Sequence, residues 1–284
     1  LALKGFAMHH VFPLVRKAAD GAAASSLHEV LLASEGFDHV HAYAPAWREN
    51  EFDRIAERCG AVTFNSVAQY ERFRDRLHGA SPGLRVNPCY SDVKTDLYNP
   101  CIPGSRLGVR PETLADGLPD GIRGLHVHNL CESGAEALAA TIDPLEQHYG
   151  HFLDGVDWLN LGGGHLVTRT GYDRELAARA LRGLQERHPG LELVMEPGAA
   201  FAWRAGVLVA TVLDIVETGA LPVAILDTSF AAHMPDCLEM PYTPEVRGAL
   251  VEGDSPHRYR LGGSSCLAGD TAGDYAFDAP LEAG

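Results

Sequence analysis

No run of about 18 consecutive apolar residues occurs in this chain, so no membrane-spanning helix is expected. The opening Leu1-Ala2-Leu3-Lys4 lacks the basic region, apolar stretch and cleavage site of a secretory leader. It also lacks an initiating Met, and Leu281-Glu282-Ala283-Gly284 makes no evident finish, so the expectation is a sequence clipped at both ends. None of the six cysteines (Cys59, Cys89, Cys101, Cys131, Cys237, Cys266) falls in a CxxC pair, which argues against a zinc ribbon. A chain of this size needs no disulfide staples, and scattered cysteines suit a reducing cytoplasm. Positive charge is scarce: 23 Lys and Arg against 38 Asp and Glu give a formal net charge of −15. Such a surface is wrong for nucleic acid, whose phosphates require Lys and Arg. It is equally compatible with steering of a cationic substrate and with plain solubilisation.

What is present is ordinary globular composition, 46% hydrophobic and 21% charged over 284 residues, with ample material for a large core. Short β-rich runs alternate with helical ones. Strand-like segments fall at Leu1–Lys4, Ala22–Ser26, His39–Pro45, Ala61–Ser66, Gly83–Pro88, Gly124–Asn129, Trp158–Leu161 and Leu191–Glu196. Helical stretches follow most of them, at Leu27–Ser34, Arg48–Cys59, Val67–Leu77, Gly134–Tyr149 and Asp173–His188, the last opened by Asp173 and stopped by Pro189-Gly190. A long loop rich in Asn, Pro and Gly runs from Cys89 to about Gly108. About eight βα units in sequence predict a closed (β/α)8 TIM barrel over residues 1–205. From residue 206 the texture turns β-rich, at Val207–Val216, Val223–Asp227 and Arg258–Leu261, which predicts a second, mostly β domain over 206–284 that is incomplete.

In such a barrel the active site gathers at the C-terminal ends of the strands. Those ends carry Lys4, Ser25 and Ser26, Asn65 and Ser66, Asn87, His128, Gly162-Gly163-Gly164 and Glu196. Lys4 suits a Schiff-base amine, because desolvation at a barrel mouth lowers a lysine pKa; a surface lysine at a strand end is the plain alternative. The glycine run suits either a phosphate cradle, where no Cβ blocks the backbone N–H groups, or a tight turn. Glu196, before Pro197-Gly198, suits a carboxylate facing a pyridine nitrogen, or else a buried partner for a structural Arg. His126-Val127-His128 places two histidines on one face of a strand. They read as a metal pair or as a ring-stacking His128 with His126 deeper in the core. No further metal ligands stand out, so stacking is preferred and no metal is expected. Taken together, the set suits pyridoxal phosphate.

The stretches LALKGFAMH (1–9), LHVHNLCE (125–132), LNLGGGH (159–165), ILDTSFAAHMPDCLEMPY (225–242) and GSSCLAGD (263–270) resemble, across nearly the whole chain, the alanine-racemase-like (fold type III) pyridoxal-phosphate decarboxylases. Within that family they are most similar to its carboxynorspermidine and carboxyspermidine decarboxylase branch. The resemblance implies a cytoplasmic carboxy-lyase of polyamine biosynthesis. It implies a homodimer with active sites at the subunit interface, and no nucleic-acid or membrane partner. Lys4 then aligns with the Schiff-base lysine, His128 with the stacking histidine, Gly163 and Gly164 with the phosphate loop, and Glu196 with the pyridine-nitrogen partner. Cys266 aligns with the cysteine offered across the dimer that helps reprotonate the substrate Cα. Asp270 lies close by as a candidate for a substrate amine. Asp227, His233, Asp236 and Glu239 align with the segment that meets the distal substrate. Two departures stand out: Ala199-Ala200 follow the Glu-Pro-Gly turn where relatives have Arg, and Asn129–Glu132 replaces a serine-bearing segment. Remaining alternatives are a diaminopimelate- or ornithine-type decarboxylase, an amino-acid racemase, a cofactor-binding regulatory protein and a metal-dependent barrel hydrolase.

Overall fold

The structure, a computed structural model, describes residues 1–240, 242–250 and 255–284. They form two compact units, Leu1–Gly206 and Val207–Gly284.

The first unit is built on seven parallel strands paired in sequence order: β1 (Ala22–Ala24), β2 (Val40–Tyr43), β3 (Ala61–Phe64), β4 (Ser81–Arg85), β5 (Gly124–His126), β6 (Trp158–Asn160) and β7 (Glu192–Val194). Leu1–Leu3 supplies the eighth stave. On one side Ala23 N–H donates to Leu1 O (2.7 Å) and Leu3 N–H to Ala23 O (3.0 Å); on the other Ala2 N–H donates to Pro197 O (2.9 Å), just past β7. The ring is thereby closed, as the alternating pattern predicted. Its outer layer comprises α1 (Phe12–Val15), α2 (Leu27–Gly36), α3 (Phe52–Ala56), α4 (Val67–Phe73), α5 (Ala135–Leu153), α6 (Arg174–Arg187) and α7 (Ala199–Ala202). Strands enclosed on both faces must be apolar throughout, and all four residues of β3 are buried. Helix α5 buries Leu138, Thr141, Ile142, Leu145, Tyr149 and Leu153, the three- and four-residue spacing of one inward face.

The boundaries differ from the sequence expectation in instructive ways. Strand β4 starts two residues early, since Ser81-Pro82 pairs with Ala61 and Val62 of β3; a proline is tolerated where its missing N–H is not needed by the ladder. Helix α3 covers only the middle of Arg48–Cys59. Several strand-end residues turn out to be structural. Ser26 and Ser66 cap α2 and α4, and Glu29 reaches back to accept from Ser25 N–H, one residue before the cap. Asn65 and Asn87 fasten the long loop: Asn65 Nδ2 donates to Arg106 O (2.8 Å), and Asn87 Nδ2 to Pro100 O (3.1 Å).

The second unit is a five-stranded mixed sheet, ordered β10 (Ala249–Leu250), β12 (Thr271–Phe277), β11 (His257–Gly262), β9 (Val223–Leu226), β8 (Val212–Val216). Two short helices, α8 (Phe230–His233) and α9 (Asp236–Glu239), follow β9. Its core is small, gathered around Ala224, Phe230, Tyr259, Leu261 and Tyr275. The β-rich reading of this part is met, although β8 begins at Val212 rather than Val207. The whole of β12 escaped the sequence reading, because Ala272, Gly273 and Asp274 break its apolar alternation.

Inside the barrel, Trp158 lies against two glycines on neighbouring strands. A Cβ at Gly124 or Gly83 would collide with its indole. Gly124→Ala should therefore overpack the barrel and lower unfolding stability by about 1–3 kcal/mol. A urea midpoint equal to that of the wild type would contradict this packing.

Candidate active site

The polar residues at the barrel mouth come from the ends of several strands, His126 and His128 both from β5. Lys4 follows the Leu1–Leu3 stave, Tyr43 ends β2, Arg85 ends β4, His128 lies two residues past β5, Asn160 ends β6 and Glu196 lies two past β7. Lys4, Tyr43, His126, His128 and Glu196 line one cleft with Ala24 and Ser25. The sequence-predicted Lys4, His128, Gly163, Gly164 and Glu196 are thus brought together.

Lys4 Nζ lies 3.1 Å from His128 Nε2. Although the lysine keeps access to solvent, desolvation at the mouth lowers its pKa; Glu196 opposes that shift and Arg85 reinforces it. His126 is 1% exposed, and neither ring nitrogen has a hydrogen-bond partner. Burial pushes His126 and His128 well below the ordinary imidazole value, with Arg85 and Lys4 acting in the same direction, so both rings are neutral. Glu196 is nearly enclosed, and burial raises its pKa against the hydrogen bond from Asn160 and the charge of Lys4. Asn160 Nδ2 donates to Glu196 Oε1 at 2.7 Å. The other carboxylate oxygen faces His126 Nε2 at 3.8 Å, beyond hydrogen-bond reach.

The glycine turn is locked on both sides. Gly162 N–H donates to Asn160 Oδ1 (2.8 Å), Gly163 N–H to His128 Nδ1 (2.8 Å), and Glu196 N–H to Gly162 O (2.7 Å). Gly162 and Gly164 have φ of +65° and +89°, where a side chain would be strained. A Cβ on Gly163 would come within 2.6 Å of Glu196 O.

Pyridoxal phosphate fits this donor set. An amine of lowered pKa stands within hydrogen-bond reach of an imidazole nitrogen, and a buried carboxylate could offer an oxygen to a protonated ring nitrogen. A backbone cradle without Cβ atoms adjoins them. Among the described residues, candidate ligand atoms of His126, His128 and Glu196 also lie within 4.8 Å of one another. Gly163 and Lys4 already engage both nitrogens of His128, however, so the group reads as the floor of a cofactor pocket.

Sequence reasoning missed Arg85 and Asn160. Arg85 is 3% exposed; its Nη2 donates to His128 O (2.7 Å) and its guanidinium lies 4.7 Å from the Tyr43 ring centroid. A charged residue inside the apolar run Leu84-Arg85-Val86 was the available signal, as was the amide in Leu159-Asn160-Leu161.

The remaining predicted residues belong to the second unit. Cys266 is exposed on the loop joining β11 to β12. Asp270 is 2% exposed and committed locally: it accepts from Ser265 Oγ (2.6 Å) and Ala231 N–H (3.0 Å). Burial would raise its pKa, but these hydrogen bonds outweigh burial and hold it low. Asp227 accepts from Thr211 N–H (2.7 Å), His233 Nδ1 from Ser229 N–H (3.1 Å) and Asp236 from Tyr242 Oη (2.8 Å), while Glu239 is exposed on α9. Pro241, within one of the resembling stretches, lies outside the described residues.

The family described as "Pyridoxal-dependent decarboxylase, C-terminal sheet domain" matches residues 70–284. Carboxyaminopropylagmatine decarboxylase of Synechocystis sp. is 53% identical over 287 residues, covering 100% of this chain and 74% of that protein. Carboxynorspermidine/carboxyspermidine decarboxylase of Campylobacter jejuni is 39% identical over 296 residues, covering 100% of this chain and 77% of that protein. The crystal structure of carboxynorspermidine decarboxylase from Campylobacter jejuni, complexed with norspermidine, superposes with a TM-score of 0.87 at 38% identity, covering 100% of this chain and 77% of that one. The chain belongs to the pyridoxal-dependent decarboxylases. It has their barrel and β domain, and its cofactor is pyridoxal phosphate.

The neutral histidines carry a pH signature. Burial lowers His41 to about 4 and holds His126 and His165 below the ordinary value. Unfolded, each binds a proton near pH 6.5; folded, each resists. The unfolded state therefore holds more protons between about pH 6.5 and 4, and stability falls as pH drops through that window. Each group contributes about 1.4 kcal/mol per pH unit while only the unfolded form is protonated. His128 acts the same way, and Glu196 opposes with its raised pKa, one group against four. Urea midpoints should decline from about pH 6.5 to 4, and less steeply in His165→Gln; a flat profile would contradict neutral burial.

Proposed function

We propose that this chain decarboxylates a carboxylated polyamine, the observation that carries this being the barrel-mouth set of Lys4, His128 and Glu196 in a chain 53% identical to a carboxyaminopropylagmatine decarboxylase. That relative puts a guanidinium-tailed substrate first. Carboxynorspermidine and carboxyspermidine are the second reading, carried by the 39% identical Campylobacter relative. Both kinds of substrate are polycations, which suits a net charge of −15.

Pyridoxal phosphate, when bound, supplies an electron sink for the pair left on Cα as CO2 departs. Lys4 is the residue that would hold it and that the substrate amine displaces. Glu196 keeps a proton on the ring nitrogen: a buried carboxylate of raised pKa is itself stabilised by a cation, so each group sustains the other's charge. Asn160 aims that carboxylate. His128 supports one face of the ring. Because Gly163 N–H is committed to His128, Gly164 and its neighbours would be left to hold the phosphate, which bears on the Arg missing after Pro197-Gly198. The scissile carboxylate must stand perpendicular to the ring, so orientation counts as much as electronics.

Cys266 of a second copy is proposed as the proton donor to Cα, within a homodimer. Asp270 serves it indirectly by holding the Ser264–Cys266 loop. Asp227, His233, Asp236 and Glu239 form the polar segment proposed to meet the substrate's cationic tail. The six free cysteines support a cytoplasmic setting.

Decarboxylation assays on carboxyaminopropylagmatine, carboxynorspermidine, carboxyspermidine, diaminopimelate and ornithine test the reading. The three carboxylated polyamines should exceed the amino acids in kcat/KM by at least about tenfold. Preference for diaminopimelate or ornithine would sink it. Lys4→Ala should lose both activity and the visible band of lysine-bound cofactor.

A shared site predicts complementation. Lys4→Ala and Cys266→Ala, each nearly inactive alone, should regain about a quarter of wild-type activity when unfolded and refolded together, because half of random dimers are mixed and each holds one intact site. No recovery, with dimers present, would place the proton donor elsewhere.

A further inference from the structure

The hydrogen bonds around His128 fix more than its position. A backbone amide can only donate, so Gly163 N–H at 2.8 Å requires a lone pair on Nδ1. That excludes both the imidazolium and the Nδ1–H tautomer. The ring must carry its hydrogen on Nε2, which lies 3.1 Å from Lys4 Nζ. An ammonium offers three donors and no acceptor, whereas a neutral amine offers one lone pair. We propose that Gly163, by fixing the tautomer of His128, turns the Nε2–H toward Lys4 and holds its amine neutral and nucleophilic before cofactor capture. His128 is then a positioning residue for cofactor loading as well as a surface for the ring, an inference that rests on Lys4 as the carrier.

The turn is built for this task. A Cβ at Gly163 would strike Glu196 O, and Gly162 O is held by Glu196 N–H, so the amide cannot swing away from the imidazole. The surrounding charges do not impose the same state. Glu196 and Glu29 favour the ammonium, Arg85 disfavours it, and Cys131 contributes on the side of the glutamates. His126 and Tyr43, packed nearby, are neutral because burial suppresses ionisation of both. Desolvation of the amine is the largest influence and already favours the neutral form; the Nε2–H in direct contact acts in the same direction. The chemical consequence is definite. The amine lone pair forms the C–N bond at the cofactor's aldehyde carbon, and the two amine hydrogens leave with the aldehyde oxygen as water. An ammonium would first have to lose a proton.

The chain has three lysines, and Lys17 and Lys94 are exposed, so they serve as internal references. In protein stripped of cofactor, 15N NMR of labelled histidine should show His128 as the neutral Nε2–H tautomer at neutral pH. Acylation of Lys4, followed by peptide mass spectrometry across a pH series, should reach half-maximal rate at least about one pH unit below Lys17 and Lys94, a tenfold larger neutral fraction. His128→Phe keeps an aromatic face but removes the donor. It should shift the Lys4 profile upward and slow capture of pyridoxal phosphate about tenfold at neutral pH, with recovery at high pH. An imidazolium or Nδ1–H form, or a Lys4 profile matching the reference lysines, overturns the proposal. So does an unshifted profile in His128→Phe. Should that variant not fold, the wild-type spectrum and labelling decide alone. Retention of the visible band in Lys4→Ala would instead overturn Lys4 as carrier, whatever the tautomer.

Discussion

The hydrogen bond from Ala2 N–H to Pro197 O joins the first stave of the barrel to the last. Without it, seven strands form an open curl and Lys4 has no fixed relation to Glu196. With it, the amine and the carboxylate, 192 positions apart in sequence, meet on opposite sides of one seam. The seam tolerates little bulk. A Cβ on Gly198 would come within 3.1 Å of Ala2 O and 3.2 Å of Gly5 Cα, and one on Gly5 within 3.0 Å of Gly198 Cα. The glycine after Glu196-Pro197 therefore serves close backbone approach as much as turning, and the site inherits its geometry from that contact.

What the closed ring gathers is electrostatically costly. A guanidinium, a carboxylate and several imidazoles lie at or near the mouth, mostly out of water. The cost is limited by neutrality where charge is not needed: His41, His126 and His165 stay unprotonated. Where charge is retained, it is hydrogen-bonded. Arg85 donates to the His128 carbonyl, and Glu196 accepts from Asn160. Asn160 has a double role, since its other end starts the glycine turn. One buried amide thus couples the Glu196 carboxylate to the loop that sets His128.

Much of this was legible in the residues. Alternation of apolar strands and helices gave the barrel, and strand ends gave Lys4, His128, the glycines and Glu196 as candidates. Their assignment to one cofactor depended on resemblance in LHVHNLCE and GSSCLAGD, because a lysine at a strand end is ambiguous alone. What was not legible follows from physics that spacing does not encode. Arg85 looks like one more basic residue until burial is known. Asn160 looks like a polar interruption until its two partners are placed. Ser26 and Ser66 sit at strand ends yet face helix termini, because a capping side chain bends back to the amide three residues on. Strand β12 hid because its partners, not its own pattern, hold it in the sheet.

Asp270 shows most clearly how the structure changes a role. By sequence it is an acidic residue four positions from a reactive cysteine, and a polyamine would attract it. Its carboxylate is instead saturated by Ser265 and Ala231, while Gly263 N–H is held by its backbone carbonyl. An ammonium could reach it only by displacing those donors, breaking its hydrogen bonds from the Ser265 hydroxyl and the helix-start amide of Ala231. The loop would then lose the anchor that fixes Cys266. The proposed role of Cys266, delivering a proton to one face of a carbon, would call for a fixed loop more than for a nearby anion. The carboxylates on α9 are exposed instead, where a cation could be paired while it remains partly hydrated. The exposed acids of α9 and the buried Asp270 thus differ in what they are available for: the first face solvent, and the second is spent on holding its own loop.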